Sequence, residues 1–561
     1  KPKPTGCIWP GGALGAEKTV FAASGFCGGG APGDDLAVGQ SCASADTFAA
    51  YTQAYADLTA KGVMLFNQSF GYNYDTTDTA LIQTQAKGFT TEYQSMVDAG
   101  DLFVWAAGNK GASQLDFNAA APSYAPSLQK GWLSVVNVQV DAQGNPTTLD
   151  STSAACGISA QWCLAAPGTS QVLGVPGTVF SSGLANGTSG SAAIVSGVAA
   201  LVWQAYPWMS GTNIQQTLLT TATPLGGDAP NATYGWGEVN AAKAVDGPAQ
   251  FAFGEFDANV GAYNGTCSNA ISGSGSLALT GTTGSLTLSA ANTYSGGTTI
   301  AGATLHLAGT LASDVSLTGG ALDGSGTVNG SVSNISGRVS GVNIAGNYTA
   351  GTGATTAVSL GNPLKVSGAV TAAGTLEIDA PAATYTPKST ETLLTAGSLS
   401  GTFSSQAYGS GVFYQVSGLN YSATSLTANV TRSSVVQSIP LTAVTNGVAH
   451  GLDKALNSAD QWSSTTAGYA DHRDFLNSAA QILSSHTQSQ AIASVNSLSG
   501  EIYGTSAAIE VQQSQATEDA ITAHEIASFG AGGHPSVWVQ ALGSSGGLSQ
   551  SSFAAAKYTM G

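Results

Sequence analysis

Hydrophobic and polar positions change their rhythm three times along the chain. In residues 1 to about 248, short continuous apolar runs such as Gly62-Val-Met-Leu-Phe66 and Leu102-Phe-Val-Trp-Ala106 alternate with segments of helical texture. Continuous apolar runs suit strands buried on both faces, so this stretch predicts an α/β domain with a largely parallel sheet. From about 270 to 432 the apolar positions come in pairs two residues apart: Leu277/Leu279, Leu286/Leu288, Leu305/Leu307 and Val315/Leu317. Each pair places two side chains on one face of a short strand, and Gly, Thr, Ser and Asn fill the corners between them. That texture predicts a parallel β-helix or solenoid in preference to a sandwich, because the strands are short and unevenly spaced. From 433 to about 533 the period lengthens to that of a helix, with stripes at Val448/Leu452/Leu456, Phe475/Ala479/Leu483 and Ile502/Ser506/Ile509. Alternation returns at Ser536-Val-Trp-Val-Gln-Ala-Leu-Gly543 and again from Phe553 to Met560. The expected organisation is therefore 1–248, 249–432, 433–533 and 534–561.

Composition narrows the functional classes. Charged residues make up 8% of the 561 residues, with Lys+Arg 15 against Asp+Glu 32 and a net charge of −17. Nucleic acid and anionic lipid both demand a basic face that displaces counterions, so neither is an expected partner. A hydrophobic fraction of 43% argues against disorder, which pairs low hydrophobicity with high charge. No run approaches the ~20 uninterrupted apolar residues of a membrane-spanning helix. Six cysteines stand at Cys7, Cys27, Cys42, Cys156, Cys163 and Cys267. Their concentration in the first half fits a disulfide-bearing, exported domain. Cys156 and Cys163 are near enough in sequence to close one short loop, the alternative being free core thiols; the pairing of the other four stays open. Without neighbouring histidines these cysteines predict no zinc site, and no cofactor is expected. No signal peptide precedes Lys1, so the chain is expected to be processed or incomplete at that end.

The strongest local signal is Asn186-Gly-Thr-Ser-Gly-Ser-Ala-Ala-Ile-Val-Ser-Gly-Val-Ala-Ala-Leu201. A Gly-Thr-Ser turn leads into an uncharged apolar helix and sets a hydroxyl at its amino end. There the unpaired N–H groups and the helix dipole favour a developing negative charge, which suits a nucleophile in acyl transfer. Alone, the same pattern would also describe a Thr or Ser cap on a core helix. Three further segments tip the reading: Asn67-Gln-Ser-Phe-Gly71 and Val104-Trp-Ala-Ala-Gly-Asn109, each closing a strand, and Leu164-Ala-Ala-Pro-Gly168. A fourth, Tyr234-Gly-Trp-Gly-Glu-Val-Asn240, comes after the Ser.

In order and number these motifs, over roughly residues 30 to 248, resemble the subtilisin-like serine peptidases. The resemblance implies Ser189 as nucleophile, Asn109 as oxyanion donor, and Ser69, Phe70 and Gly71 as the strand edge that pairs with substrate backbone. Protein or peptide substrates follow from it. Departures are also visible. The family's Ala and Pro after the nucleophile are Ser191 and Ala193 here. The general-base His and its orienting Asp are not found, since the six histidines are His306, His450, His472, His486, His524 and His534. Gly30 to Gly39 resembles the segment that comes after the family's His, which would place that His near Leu14. Either both residues lie before Lys1, or the scaffold has lost its triad, and the chain as given is expected to be nearly inactive.

Downstream, Asn292-Thr-Tyr-Ser-Gly-Gly-Thr-Thr-Ile-Ala-Gly-Ala-Thr-Leu-His-Leu307 resembles the passenger repeat of bacterial autotransporters. Tyr385-Thr-Pro-Lys388, Leu393 to Gly397 and Gly401-Thr-Phe403 resemble the end of such a β-helix. Leu498 to Tyr503 resembles the segment before their barrel, and Val537 to Gly543 its first strand. The resemblance implies a self-secreted protein of the outer membrane and cell surface, or one released from it. It also implies the outer-membrane insertion machinery as partner for the complete barrel, of which this chain would hold only the first strands. The expected activity is serine endopeptidase; the alternative is a catalytically dead adhesin or surface-binding protein. A carbohydrate-cleaving β-helix is disfavoured, because Asp314, Asp323, Glu377 and Asp379 form no evident carboxylate pair.

Overall fold

The computed structural model describes residues 20–23, 55, 57–71, 88, 93–172, 183–381, 385–387, 389–462, 466–499, 511, 514–522, 544–548 and 556–560. The chain divides into two compact units, Lys1–Tyr348 and Thr349–Gly561.

The first unit opens on a sheet of β1 (Val20–Ala23), β2 (Leu65–Gln68), β3 (Leu102–Ala106) and β4 (Trp132–Val140), all parallel. β5 (Pro146–Leu149) joins β4 antiparallel and β6 (Cys163–Pro167) pairs parallel with it. All five residues of β3 are buried, as an apolar run covered on both faces must be. Phe103 stacks on Phe66 at 4.9 Å between centroids and Trp105 on Trp132 at 5.1 Å, so neighbouring strands are locked by large rings. The helix Thr188–Ala205 packs on β2, β3, β4 and β6. Among its buried positions, Thr188, Ser191, Val195, Val198, Ala199 and Val202 follow one another along the face turned to the sheet. By length and composition it could cross a membrane, yet here it is the core helix of the sheet.

One buried group in this sheet carries a cost. Asp101, 2% exposed, has a carboxyl oxygen without a partner, and burial pushes its pKa up to about 6. Between about pH 4 and 6 the unfolded chain ionises this group while the folded one keeps it neutral. Stability from this residue therefore falls as pH rises through that window and is constant above it. Asp101→Asn is expected to remove that fall, measured as the difference between urea midpoints at pH 4 and pH 6.5. An unchanged pH profile would refute it.

The Gly211–Thr221 helix, capped by Ser210, ties the sheet domain to the chain beyond residue 250. Asn213 Nδ2 donates to the Asp257 carbonyl at 3.1 Å, and Gln216 Oε1 accepts the Ala252 and Phe253 amides. Three parallel stacks of short strands then begin. One runs through Phe256–Asn259, Leu277–Thr280, Thr298–Ala301, Val315–Leu317 and Val332–Asn334. A second runs through Asn264–Cys267, Ser285–Leu288, Thr304–Leu307, Ala321–Gly324 and Arg338–Ser340. A third holds Ala291–Asn292, Thr310–Leu311, Thr327–Val328 and Asn343–Ile344. These are the faces of a β-helix. All eight side chains of the four predicted apolar pairs are at most 2% exposed, each burial contributing about 1.5–3 kcal/mol. The inward Asn292 is satisfied by the Ala290 and Thr310 carbonyls and the Ile271 amide. Gly320 (φ +69°) shows why corners need glycine: a Cβ there would lie 2.1 Å from the Ala303 carbonyl oxygen. His306 pairs with Asp323, its register partner on the next rung.

In the second unit, Thr355–Ser359, Thr375–Asp379 and Ser405–Ser410 pair parallel with one another in that order, as do Ala369–Ala372 with Ser398–Gly401. The expectation of a solenoid up to 432 is corrected at its end. Ser425–Arg432 runs antiparallel to both Ser389–Thr395 and Tyr414–Tyr421. A hairpin joined through Ser422–Thr424 can cover a rung edge that a further parallel strand would leave open. Helices come next at Val435–Ser438, Ala443–Trp462, Thr466–Asp471, Arg473–Leu483 and Gln488–Ser497. They share a core with Tyr385 and Phe413. Leu452 and Leu456 are buried as expected. The second stripe needs correction: Leu476, Ala479, Ala480 and Leu483 face inward, while Phe475 is 37% exposed and lies against Trp462. The i, i+3, i+4, i+7 set contains 476 and excludes 475. Ile502, Ser506, Ile509 and the strand expected at 536–543 lie outside the described residues. Ser544–Leu548 and Ala556–Met560 pair antiparallel.

Arg432 anchors the hairpin to the helices. Its guanidinium donates to Asp460 at 3.0 Å and Asn457 at 2.8 Å and stands 3.7 Å from Asp453. Tyr385 donates to Asp460 at 2.6 Å, and Asp453 accepts the Val435 and Val436 amides at the start of the first short helix.

Candidate active site

Ser189 is the second residue of the Thr188–Ala205 helix, whose first turn carries no acidic side chain. Its amide is one of the first-turn N–H groups that have no intrahelical acceptor. The Ser189 hydroxyl donates to the Ser69 carbonyl at 3.1 Å, and the Ser69 hydroxyl donates back to the Ser189 carbonyl at 3.0 Å. Asn67 at the end of β2 supports this pair, its Nδ2 donating to Ser69 Oγ at 2.8 Å. Ser69 to Gly71 lie beyond the last sheet-paired residue of β2. Phe70 packs edge-on against Trp105.

Asn109 is exposed, past the end of β3. Its Oδ1 accepts the Thr188 amide at 2.9 Å and the Thr188 hydroxyl at 3.1 Å, while Thr188 Oγ1 accepts the Gly108 amide at 3.1 Å. A backbone N–H can meet only the oxygen of the amide side chain, so the orientation of Asn109 is settled and Nδ2 is left as donor. A Cβ on Gly187 would lie 3.3 Å from both polar atoms of Asn109, so glycine precedes the helix where the amide needs room. Thr188, the residue before Ser189, thus fixes the Asn109 side chain with Nδ2 as its donor, and amide donors at a helix start are the groups that can stabilise a tetrahedral oxyanion.

Two residues that join these motifs, Asn137 and Asp150, belonged to no motif in the sequence. Gly168 donates to Asn137 Oδ1 at 2.6 Å; Asn137 donates to Asn186 Oδ1 at 2.8 Å; and Asn186 donates to Asp150 at 3.1 Å. This chain of hydrogen bonds carries the Asn186-Gly187 turn on the sheet. Asp150 also receives the Thr152 hydroxyl and amide; the Thr152 hydroxyl is the main cause that holds its pKa down to about 2. A Cβ on Gly190 would lie 2.6 Å from the Gly168 carbonyl, which explains why both segments carry glycine. The role of Tyr234 to Asn240 is structural: Trp236 and Val239 amides donate to the Cys163 and Ala165 carbonyls along β6. Cys156 and Cys163 form a disulfide that closes the 3₁₀ turn before β6. Cys267 is a buried free thiol, its pKa raised to about 12 by burial. Cys7, Cys27 and Cys42 lie outside the described residues. Among the described residues no group of His, Cys, Asp and Glu is placed to hold a metal ion.

No histidine precedes His306 in the sequence, and none among the described residues bonds Ser189. Residues 12–237 match the subtilase family. The chain is 34% identical over 296 positions to the Neisserial autotransporter lipoprotein NalP of Neisseria meningitidis, covering 45% of this chain and 27% of that one. It is 38% identical over 159 positions to serotype-specific antigen 1 of Mannheimia haemolytica, covering 28% and 16%. It is 32% identical over 174 positions to an extracellular serine protease of Serratia marcescens, covering 27% and 16%. The match thus spans about a quarter or less of the length of these relatives. Within this subtilase-like segment, Ser189 and Asn109 occupy one corner, where β3, the end of β2 and the apolar helix meet.

Proposed function

We propose that the protein is a self-secreted, cell-surface serine endopeptidase. In this reading Ser189 attacks a peptide carbonyl, and the oxyanion is held by the Ser189 amide and Asn109 Nδ2. The observation that supports it is the pinning of Asn109 Oδ1 by Thr188, the residue before Ser189, which leaves the amide nitrogen as the donor at this helix start. The β-helix serves as a stem along which rungs can form and dock in sequence as the chain emerges. The closing antiparallel pair, Ser544–Leu548 with Ala556–Met560, is read as the beginning of an outer-membrane barrel that the insertion machinery would receive.

Among the described residues no side chain is bonded to Ser189 as a base. Its proton goes to the Ser69 carbonyl, which cannot accept it in a reaction. That observation favours a second reading, a catalytically dead surface-binding protein on the same scaffold. The test is fluorophosphonate labelling of the protein as its gene encodes it, beside Ser189→Ala. Labelling that disappears in the variant supports the peptidase. Absence of labelling in a cooperatively folded protein overturns it and leaves the binder.

A further inference from the structure

Asp116 packs against two glycines, Gly71 and Gly108, in the segments that carry Ser69 and Asn109. A Cβ built on Gly71 would lie 3.1 Å from Asp116 Oδ2, and one built on Gly108 (φ +113°) 2.5–2.7 Å from its carboxyl atoms. Two backbone segments therefore face this carboxylate without a side chain between. Both segments lead to the nucleophile. Gly71 is two residues, about 7 Å of extended chain, from Ser69, which bonds Ser189. Gly108 donates to Thr188 and precedes Asn109.

The position of Asp116 is held by its backbone, through its amide to the Ala107 carbonyl at 2.8 Å and its carbonyl to the Ala120 amide at 3.0 Å. No side chain among the described residues hydrogen-bonds or ion-pairs the carboxylate. Lys110 is exposed and only softens the cost of its charge, while burial raises its pKa to about 6. A half-buried, unpaired carboxylate that lies in the space two glycines leave for it is poorly explained by folding, which gains nothing from it. A cation arriving from outside would satisfy it.

We propose that Asp116 determines specificity by receiving the ammonium or guanidinium of a substrate lysine or arginine, on the residue whose carbonyl Ser189 attacks. This inference rests on the peptidase reading for its meaning, but its binding test does not need turnover.

The experiment is equilibrium binding of fluorescent blocked peptides to the 561-residue chain at pH 8, identical but for lysine, arginine or norleucine at the test position. The expected result is at least tenfold tighter binding of the lysine and arginine peptides, lost in Asp116→Asn and retained in Asp116→Glu. Thermal unfolding verifies that both variants fold. Equal affinities, or a preference that survives Asp116→Asn, would overturn the proposal. Hydrolysis by the protein as its gene encodes it separates the two readings. Cleavage after leucine or phenylalanine but not after lysine or arginine refutes the role of Asp116 and leaves the peptidase standing. No cleavage, with no labelling of Ser189, refutes the peptidase, and the binding series still decides Asp116.

Discussion

Peptide hydrolysis by the 561-residue chain is expected to run about 10⁶-fold below that of a subtilase with a complete triad, and Ser189→Ala is expected to change that residual rate less than about tenfold. Both effects share one cause. Serine and histidine act as a unit, so removing either costs nearly as much as removing both. With no histidine before His306 and the Ser189 proton directed at a backbone carbonyl, the hydroxyl is already unactivated. Supplying the base reverses the expectation: in a protein where a histidine reaches Ser189, Ser189→Ala should cost about 10⁶ in kcat. Asn109→Ala should there cost about 10²–10³, the value of one oxyanion donor. The measurement is turnover of a chromogenic peptide by both forms and their variants. A large effect of Ser189→Ala in the histidine-free chain would mean that another group acts as base, and the reading of the site would fail.

Arg432→Leu is expected to destabilise the second unit by about 3–5 kcal/mol, because it strands Asp460 and Asp453 without their cation in a largely buried setting. The side chain of Arg432 is 5% exposed, and from the end of the Ser425–Arg432 strand it reaches three polar groups of the long helix. Arg432→Lys should recover only part of the loss, since an ammonium cannot span Asp460, Asn457 and Asp453 as the planar guanidinium does. Urea unfolding of the whole chain, monitored by a probe in the helical segment such as Trp462, reads this. A shift below about 1 kcal/mol would show that the cluster is solvated and contributes as a surface pair does.

Much of the architecture was legible because local pattern and burial coincide. The two-residue alternation of Leu286/Leu288 or Leu305/Leu307 has one physical solution once corners are glycine-rich, and the register partners confirm stacking rung on rung. Likewise, Leu102 to Ala106 is too continuous to face water on either side. Phe475 was misplaced because a helical stripe can be drawn through 475 or 476, and only the neighbouring helices choose between them. The antiparallel end at Ser425–Arg432 was missed for a related reason: alternation is the same in parallel and antiparallel strands, so direction is invisible until the partner is known.

At the site, the sequence by itself determined the residue types and order: an apolar helix begun by Gly-Thr-Ser, a strand closed by Ala-Ala-Gly-Asn, and no histidine within reach along the first 248 residues. Tertiary structure alone decided what those residues touch. It turned the Asn109 amide by giving its oxygen to Thr188, sent the Ser189 proton to Ser69, and placed Asp116 opposite Gly71 and Gly108, 45 and 8 residues away in sequence. Motifs arise from local backbone requirements and can be read along the chain. The environment of a charge depends on which distant segments exclude water around it, and that is set only when the sheet and helix close on one another.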